Sequence, residues 1–332
     1  MNQRLNRGGA GRRGGALLAV LWLSAALAAI AFSVATTVRG EIERASTLAD
    51  GVKTYYLATG ALERALLHLV WGPRNASQNS TVYGRESSRM YFPFPTGEAV
   101  VEVIPETARL SLNLGKREDF QGLLLSLGAE PERASEIAAG ILDWRGSGAG
   151  GAFDRFYSAQ TPSFQARHAS FEEVEEVLFV KGMTPELFHG SYGRDRSGRL
   201  VRRGAFKDCV SVYGTAGRFD VNSVDPAMLR WLGIPPEAVD RIVQVRSRQR
   251  IRNVSELAQL GVGGAGMGRL SVGGNTIFTL RAAARLRLPS GQFSDLRRGV
   301  SAQVKLVDND SSARYQILRW NDNAQAEVPQ WQ

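Results

Sequence analysis

From Gly15 to Thr37 the chain carries no charged side chain, and Arg4, Arg7, Arg12 and Arg13 precede that run with no acid among them. About 23 uncharged residues make a helix of roughly 34 Å, enough to cross a hydrocarbon core. A secretory h-region is shorter, roughly 7 to 15 residues, and ends at a small-x-small site before polar sequence. No such ending appears here. Instead the apolar positions keep helical spacing: Leu48, Val52, Tyr55, Tyr56, Leu62, Leu66, Leu69 and Val70 recur at intervals of three and four. One helix is therefore predicted, apolar all round over 15–37 and amphipathic over 38–72, ending at Trp71-Gly72-Pro73. Arginines before the apolar run place the N-terminus in the cytoplasm and the body beyond the membrane.

Downstream, the period changes twice. Residues 73–115 turn strand-like after a polar stretch, with Val101, Val103, Leu110 and Leu112 alternating and Pro105 as a break. Residues 116–274 read helical in two blocks, 117–190 and 220–261. In the second, Asp225-Pro226 and Pro235-Pro236 suit helix starts. Alternation returns over 275–322, where Val300, Ala302, Val304 and Leu306 share one face, and 323–332 reads as a tail. The pattern predicts an α+β protein: a long N-terminal helix packed on an antiparallel sheet, with a large all-α domain inserted between the strands.

Composition narrows the chemistry. Apolar residues make up 43% of the 332, so a packed core is expected and wholesale disorder is not. The net charge of +9 is local: it gathers before the apolar run and at Arg194, Arg196, Arg199, Arg202 and Arg203 in a Gly/Ser-rich loop. Cys209 is the single cysteine and sits among valines as a buried strand thiol. His68, His168 and His189 lie far apart with no zinc or triad frame. Gly264–Gly268 lacks the strand and lysine of a phosphate loop, and Asp308-Asn309-Asp310 reads as a turn. No nucleophile, base or metal set emerges, and the chain reads as a non-enzyme.

Residues 12–22, RRGGALLAVLW, resemble the processing site of the K-type minor pseudopilin of type II secretion systems (general secretion pathway protein K). Ser111-Leu112-Asn113-Leu114, Glu106, the pair Asp143-Trp144 and the run SFEEVEEVLFVKGMTPELF match the same family, with its S-x-E-E-L and G-x-T-P-E-L elements. The resemblance implies a pilin-like fold whose long helix is transmembrane in its first half. It also implies a basic leader, 1–14, removed by a prepilin peptidase between Gly14 and Gly15, with Gly15 and Ala16 as the alternative cut. Ala19 then stands at the fifth mature position, where most pilin-like subunits carry glutamate. The K-type subunit lacks that acid, and so does this chain under either cut, which fits a filament end.

Further expectations follow from the family. The partners implied are the I-, J- and H-type minor pseudopilins, the major pseudopilin and the prepilin peptidase, in the inner membrane, with secreted exoproteins and the secretin reached indirectly. The K-type loop after the D-W pair binds calcium, which assigns Asp143 and Asp154 as metal ligands here, helped by Ser147 and Ser158. Against six to eight oxygens for a hard cation, two carboxylates beside Arg145 and Arg155 are few, and the other reading has Asp143 capping or pairing with one of those arginines. The rival function is a membrane-anchored nucleic-acid binder using helix-hairpin-helix-like units in 220–261, with Arg241, Arg246, Arg248 and Arg250 toward phosphate. Two prolines in its Leu232–Pro236 turn remove the amides such a module needs.

Overall fold

The computed structural model describes residues 12–71, 83–85, 87–148, 150–194, 198, 200–202, 204–264, 266–307 and 314–324. A single helix, α1 (Arg12–Trp71), opens it with 60 residues, about 90 Å at the helical rise. Strands β1 (Arg89–Phe94) and β2 (Gly97–Pro105) follow. An insert then carries β3 (Leu110–Ser111), α2 (Arg117–Ser126), α3 (Pro131–Arg145), α4 (Asp154–Ser158), α5 (Pro185–His189), β4 (Tyr192–Arg194) and β5 (Leu200–Arg202). It continues through α6 (Phe206–Cys209), β6 (Val210–Ser211), β7 (Phe219–Asp220), α7 (Pro226–Trp231), α8 (Pro236–Arg248), α9 (Glu256–Gln259) and β8 (Leu270–Ser271). Strands β9 (Ile277–Arg287), β10 (Phe293–Leu306) and β11 (Tyr315–Asn321) return to the main sheet.

That sheet runs β1-β2-β9-β10-β11, every neighbour antiparallel. Period-two alternation puts Phe92, Ala99, Val101, Leu280, Ala282, Ala284, Val300 and Ala302 on one face, against Ala58, Ala61, Leu62, Ala65, Leu66 and Leu69 of α1. Alanine on both sides of the contact lets helix and sheet approach closely and fill the space between them without voids. Gly97, opening β2, sits where a Cβ would lie 2.3 Å from the Arg285 carbonyl oxygen, so the turn admits glycine alone.

The insert has its own core, around Phe120, Ile137, Trp144, Tyr157, Phe206, Phe219, Leu229 and Ile242. Glu106 joins it to the sheet: fully buried in a 3₁₀ turn after β2, its Oε1 accepts from the Thr279 hydroxyl of β9, with Arg109 Nη1 at 3.8 Å. On the outside, Arg319 of β11 donates to Glu173 at 2.6 Å. Arg85 Nε reaches the Leu69 carbonyl at 3.3 Å and lines a cleft with Pro105 and Asn275. The C-terminal end of α1 therefore lies toward the insert. Gly51, earlier in α1, lies against Arg298 of β10, so the β9–β10 turn is on the side where α1 leaves the body.

Three details differ from the sequence reading. The first β part ends at Pro105 rather than 115, because Leu110–Ser111 pairs in parallel with Val210–Ser211 inside the insert. The insert is mainly helical but not all-α: β3–β6, β4–β5 and β7–β8 form three small sheets, each two or three residues long and too short to show alternation. Between Ser170 and Phe188 the expected helix is a 3₁₀ turn, Val174–Phe179, then α5. The break comes at Val180, which takes extended backbone and packs on Gly140 of α3, where a Cβ would meet Val180 Cγ1 at 2.6 Å. Gly182, at φ 86°, then completes the turn.

Enlarging Ala61 to leucine is expected to force helix and sheet apart at a cost of about 1–3 kcal/mol, read as a lowered thermal midpoint of the full chain in detergent. Thr279→Val leaves buried Glu106 without its hydroxyl donor and is expected to cost about 2–3 kcal/mol, while Thr279→Ser stays close to the parent.

Candidate functional site

Two regions carry the sequence-level candidates: the outer surface of α1 and the loop after Asp143. On α1, the helical positions divide. Leu62, Leu66 and Leu69 turn inward, whereas Leu48, Val52 and Tyr56, spaced by four, turn outward at 70%, 56% and 66% exposure. They form one apolar stripe along the face away from the sheet. It continues N-terminally into the uncharged run, where Leu17, Trp22 and Phe32 are all exposed. Among the described residues α1 is the one helix long and apolar enough to cross a membrane. Ala19 and Val20 lie on that segment, exposed like their neighbours.

Gly14 and Gly15, flanking the expected cut, lie inside α1. A Cβ built on Gly15 meets nothing within 4 Å. The fold itself thus makes no demand for glycine there, and in a helix interior glycine costs about 1 kcal/mol relative to alanine. Arg4 and Arg7 of the leader lie outside the described residues, as do Arg196, Arg199, Arg203, Ala265 and Asp308–Asp310.

In the second region the fold does bring Asp143 and Asp154 to one turn. Asp143 Oδ1 accepts from the Ala152 amide at 2.7 Å, and Oδ2 from the Phe153 amide at 3.4 Å. Asp154 Oδ2 accepts from the Gly151 amide at 2.8 Å, and its Oδ1 lies 2.8 Å from His168 Nε2. The other ring nitrogen, Nδ1, lies 3.2 Å from the Asp143 carbonyl oxygen. The hydrogen bond to Asp154 raises the His168 pKa from its ordinary value. His168 takes φ 48° to reach this position, and Gly151 is small because a Cβ would sit 2.5 Å from the ring.

This arrangement does not fit a hard cation. All four carboxylate oxygens already have partners in the loop, and among the described residues no three His, Cys, Asp or Glu side chains converge. Ser158 Oγ is engaged with the Arg155 carbonyl at 3.2 Å. Asp143 does cap locally, but on amides and not on the arginines. Arg145 turns away, donating to the Leu112 and Gly115 carbonyls at 2.5 and 2.6 Å. His168 is the residue that sequence reasoning passed over; it lies 14 residues from Asp154, and no spacing rule flags such a pair.

In the block 220–261 the helices form as read, but the arginines mostly serve the fold. Arg246 donates to the Val221 and Val224 carbonyls at 3.0 and 2.6 Å, and its burial lowers its pKa. Arg241 donates to the Leu260 carbonyl at 3.0 Å, and Arg250 lies 4.0 Å from buried Asp220. Arg248, the fourth, stands on the open surface. Cations already held by backbone carbonyls and a buried carboxylate make a poor phosphate-binding face. Cys209 is buried, and burial pushes its thiol well above the usual range, the opposite of a nucleophile.

Gly151→Ala is expected to expel His168 from its position and cost about 1–3 kcal/mol, seen as a lower thermal midpoint and a changed His168 ring resonance. Because the carboxylates are already satisfied, calcium and a chelator are expected to give thermal midpoints of the full chain within about 1 °C of each other.

Residues 106–190 match the family model for protein K of the type II secretion system (T2SS). Type II secretion system protein K of Klebsiella pneumoniae is 28% identical over 200 residues, 53% of this chain and 60% of that protein, so the match spans less than two thirds of the relative. A chain from the crystal structure of the GspK–GspI–GspJ complex of the enterotoxigenic Escherichia coli type 2 secretion system superposes with a TM-score of 0.56. Identity there is 16%, with 84% of this chain and 98% of that chain covered. The chain is thus similar to protein K of type II secretion over residues 106–190, and its long apolar helix laid on an antiparallel sheet shares the fold of a chain in that solved complex.

Proposed function

We propose that the chain works by assembly and not by catalysis, as the K-type minor pseudopilin at the tip of a type II secretion pseudopilus. The observation that carries this is the continuity of α1: one helix passes from a lipid-length uncharged run into a stripe, Leu48–Val52–Tyr56, that its own body leaves uncovered. Gly15–Thr37 anchors the chain in the inner membrane with the N-terminus cytoplasmic and the body periplasmic. The outward stripe takes the helices of the I- and J-type subunits, burying apolar area at about 25 cal/mol per Å². A solved complex of GspK with GspI and GspJ has the same fold in one of its chains, which supports that choice of partners. H-type and major pseudopilins then add from the membrane side. The insert, at the far end of the sheet, blocks addition above it by bulk, so filament growth begins here and proceeds one way.

No carboxylate stands near Ala19 to pair with a neighbour's new amino group. A buried unpaired acid in lipid costs about 3 kcal/mol or more; a subunit with no neighbour above it loses nothing by lacking one. Processing explains Gly15, since its smallness serves no packing within the chain.

Co-expression with a prepilin peptidase is expected to shorten the chain to a mature N-terminus at Gly15 or Ala16, read by intact-mass spectrometry; an unshortened chain contradicts the assignment. Val52→Arg with Tyr56→Arg, both on exposed positions, is expected to leave the thermal midpoint within about 2 °C while cutting co-purified I- and J-type subunits at least about tenfold.

A further inference from the structure

The end of the sheet nearest the anchor carries a charge pattern that assembly through α1 does not use. The β9–β10 hairpin turns at Leu288–Gln292, with the Leu288 amide donating to the Gln292 carbonyl at 2.8 Å. Arg287 and Arg297 are exposed on its two arms, and half-buried Arg298 lies beside Gly51 of α1. Among the described residues none of these three guanidinium groups forms an ion pair, in contrast to Arg285, held by Glu98 at 2.8 Å. Asp295 is the single acid in the hairpin. Phe293 lies under both Arg285 and Arg287, at 4.4 and 4.9 Å from its ring centroid, which stiffens the base of the hairpin.

The hairpin also lies at the membrane end of the body. The Arg298 guanidinium reaches Gly51 of α1, and Leu57 reaches Gly97, which pairs Leu286 of β9. From Leu286 the strand runs on toward the turn at Ser290, so the turn is the part of the sheet nearest the uncharged run. Guanidinium groups pair well with phosphate oxygens, and exposed Leu288 at the tip adds an apolar contact.

We infer that the β9–β10 hairpin seats on the anionic phospholipid surface of the membrane that α1 crosses, through Arg287, Arg297 and Arg298. This rests on the reading of Gly15–Thr37 as the anchor. Seating fixes the rotation of the body about α1 before assembly, and so fixes which way the stripe Leu48–Val52–Tyr56 faces. Withdrawal of the subunit into a filament lifts the hairpin off the lipid.

The test uses the full chain in nanodiscs of phosphatidylcholine, with and without phosphatidylglycerol. A fluorophore is placed at Ser290→Cys (Cys209 is buried), and quenching is read with lipids spin-labelled at the headgroup. The expected result is strong quenching in the anionic discs only, reversed at high salt. Arg287→Gln with Arg297→Gln is expected to lower the seated-to-free ratio about 25-fold, fivefold per arginine, while Arg287→Lys with Arg297→Lys retains most of it. Equal quenching in both lipids, or no loss in the glutamine variant, overturns the inference. Contact that appears only when I- and J-type subunits are added also overturns it, because the surface is then a protein interface. A chain that does not enter the discs at all contradicts the anchor reading instead, and a second label at Thr37→Cys reports that separately.

Discussion

The structure depends on one close contact, between the alanines of α1 and the alanines of the sheet. Ala58, Ala61 and Ala65 meet a surface that includes Ala99, Ala282, Ala284 and Ala302, with Leu62, Leu66 and Val101 filling the spaces. Side chains this small give a contact with little rotamer freedom to lose and little tolerance for added volume. The consequence is positional. A helix held on one side by its own sheet has its other side dictated, so Leu48, Val52 and Tyr56 point outward by the same register that points Leu62 and Leu66 inward. The uncovered stripe is a result of how the body is attached, and the attachment is continuous with the anchor.

The insert follows from a second constraint. Strands β2 and β9 are neighbours in the sheet, Val103 beside Leu280, although the whole insert separates them in sequence. Closing so long a loop costs entropy that only the completed sheet returns. The insert lowers that cost by folding on its own core, and Glu106 ties its entry to Thr279 near its exit. The body therefore has polarity: insert at one end, the β9–β10 hairpin and departing helix at the other. That polarity suits a subunit that caps an assembly.

Much of this was legible in the sequence, for physical reasons. Long, regular elements announce themselves: α1 by twenty-odd uncharged residues and then a 3.6 period, and β9 and β10 by alternation with alanines and valines inward. The helices at Pro131, Pro226 and Pro236 were marked by proline in the first turn. What the sequence hid was set by tertiary contact. Ser170–Phe188 has helical composition, yet Val180 leaves the helix to fill the notch at Gly140. The Asp143 loop looked like a sparse cation site because His168, which bridges Asp154 to the Asp143 carbonyl, is distant in sequence and unremarkable in composition. Arg145 looked like its neighbour's partner but reaches across to Leu112 and Gly115 instead. Arg246 likewise read as a surface cation and serves as an internal clamp.

Everything proposed for the chain requires that α1 be one unbroken rod between lipid and sheet. Spin labels at Ser33→Cys and Leu48→Cys, 15 residues apart on exposed positions, measure this directly in nanodiscs by pulsed electron resonance. The account predicts a single narrow distance near 22 Å, the rise of a continuous helix, unchanged when I- and J-type subunits are added. A broad distribution, or a separation well away from that value, would show a hinge between membrane and body and contradict the account.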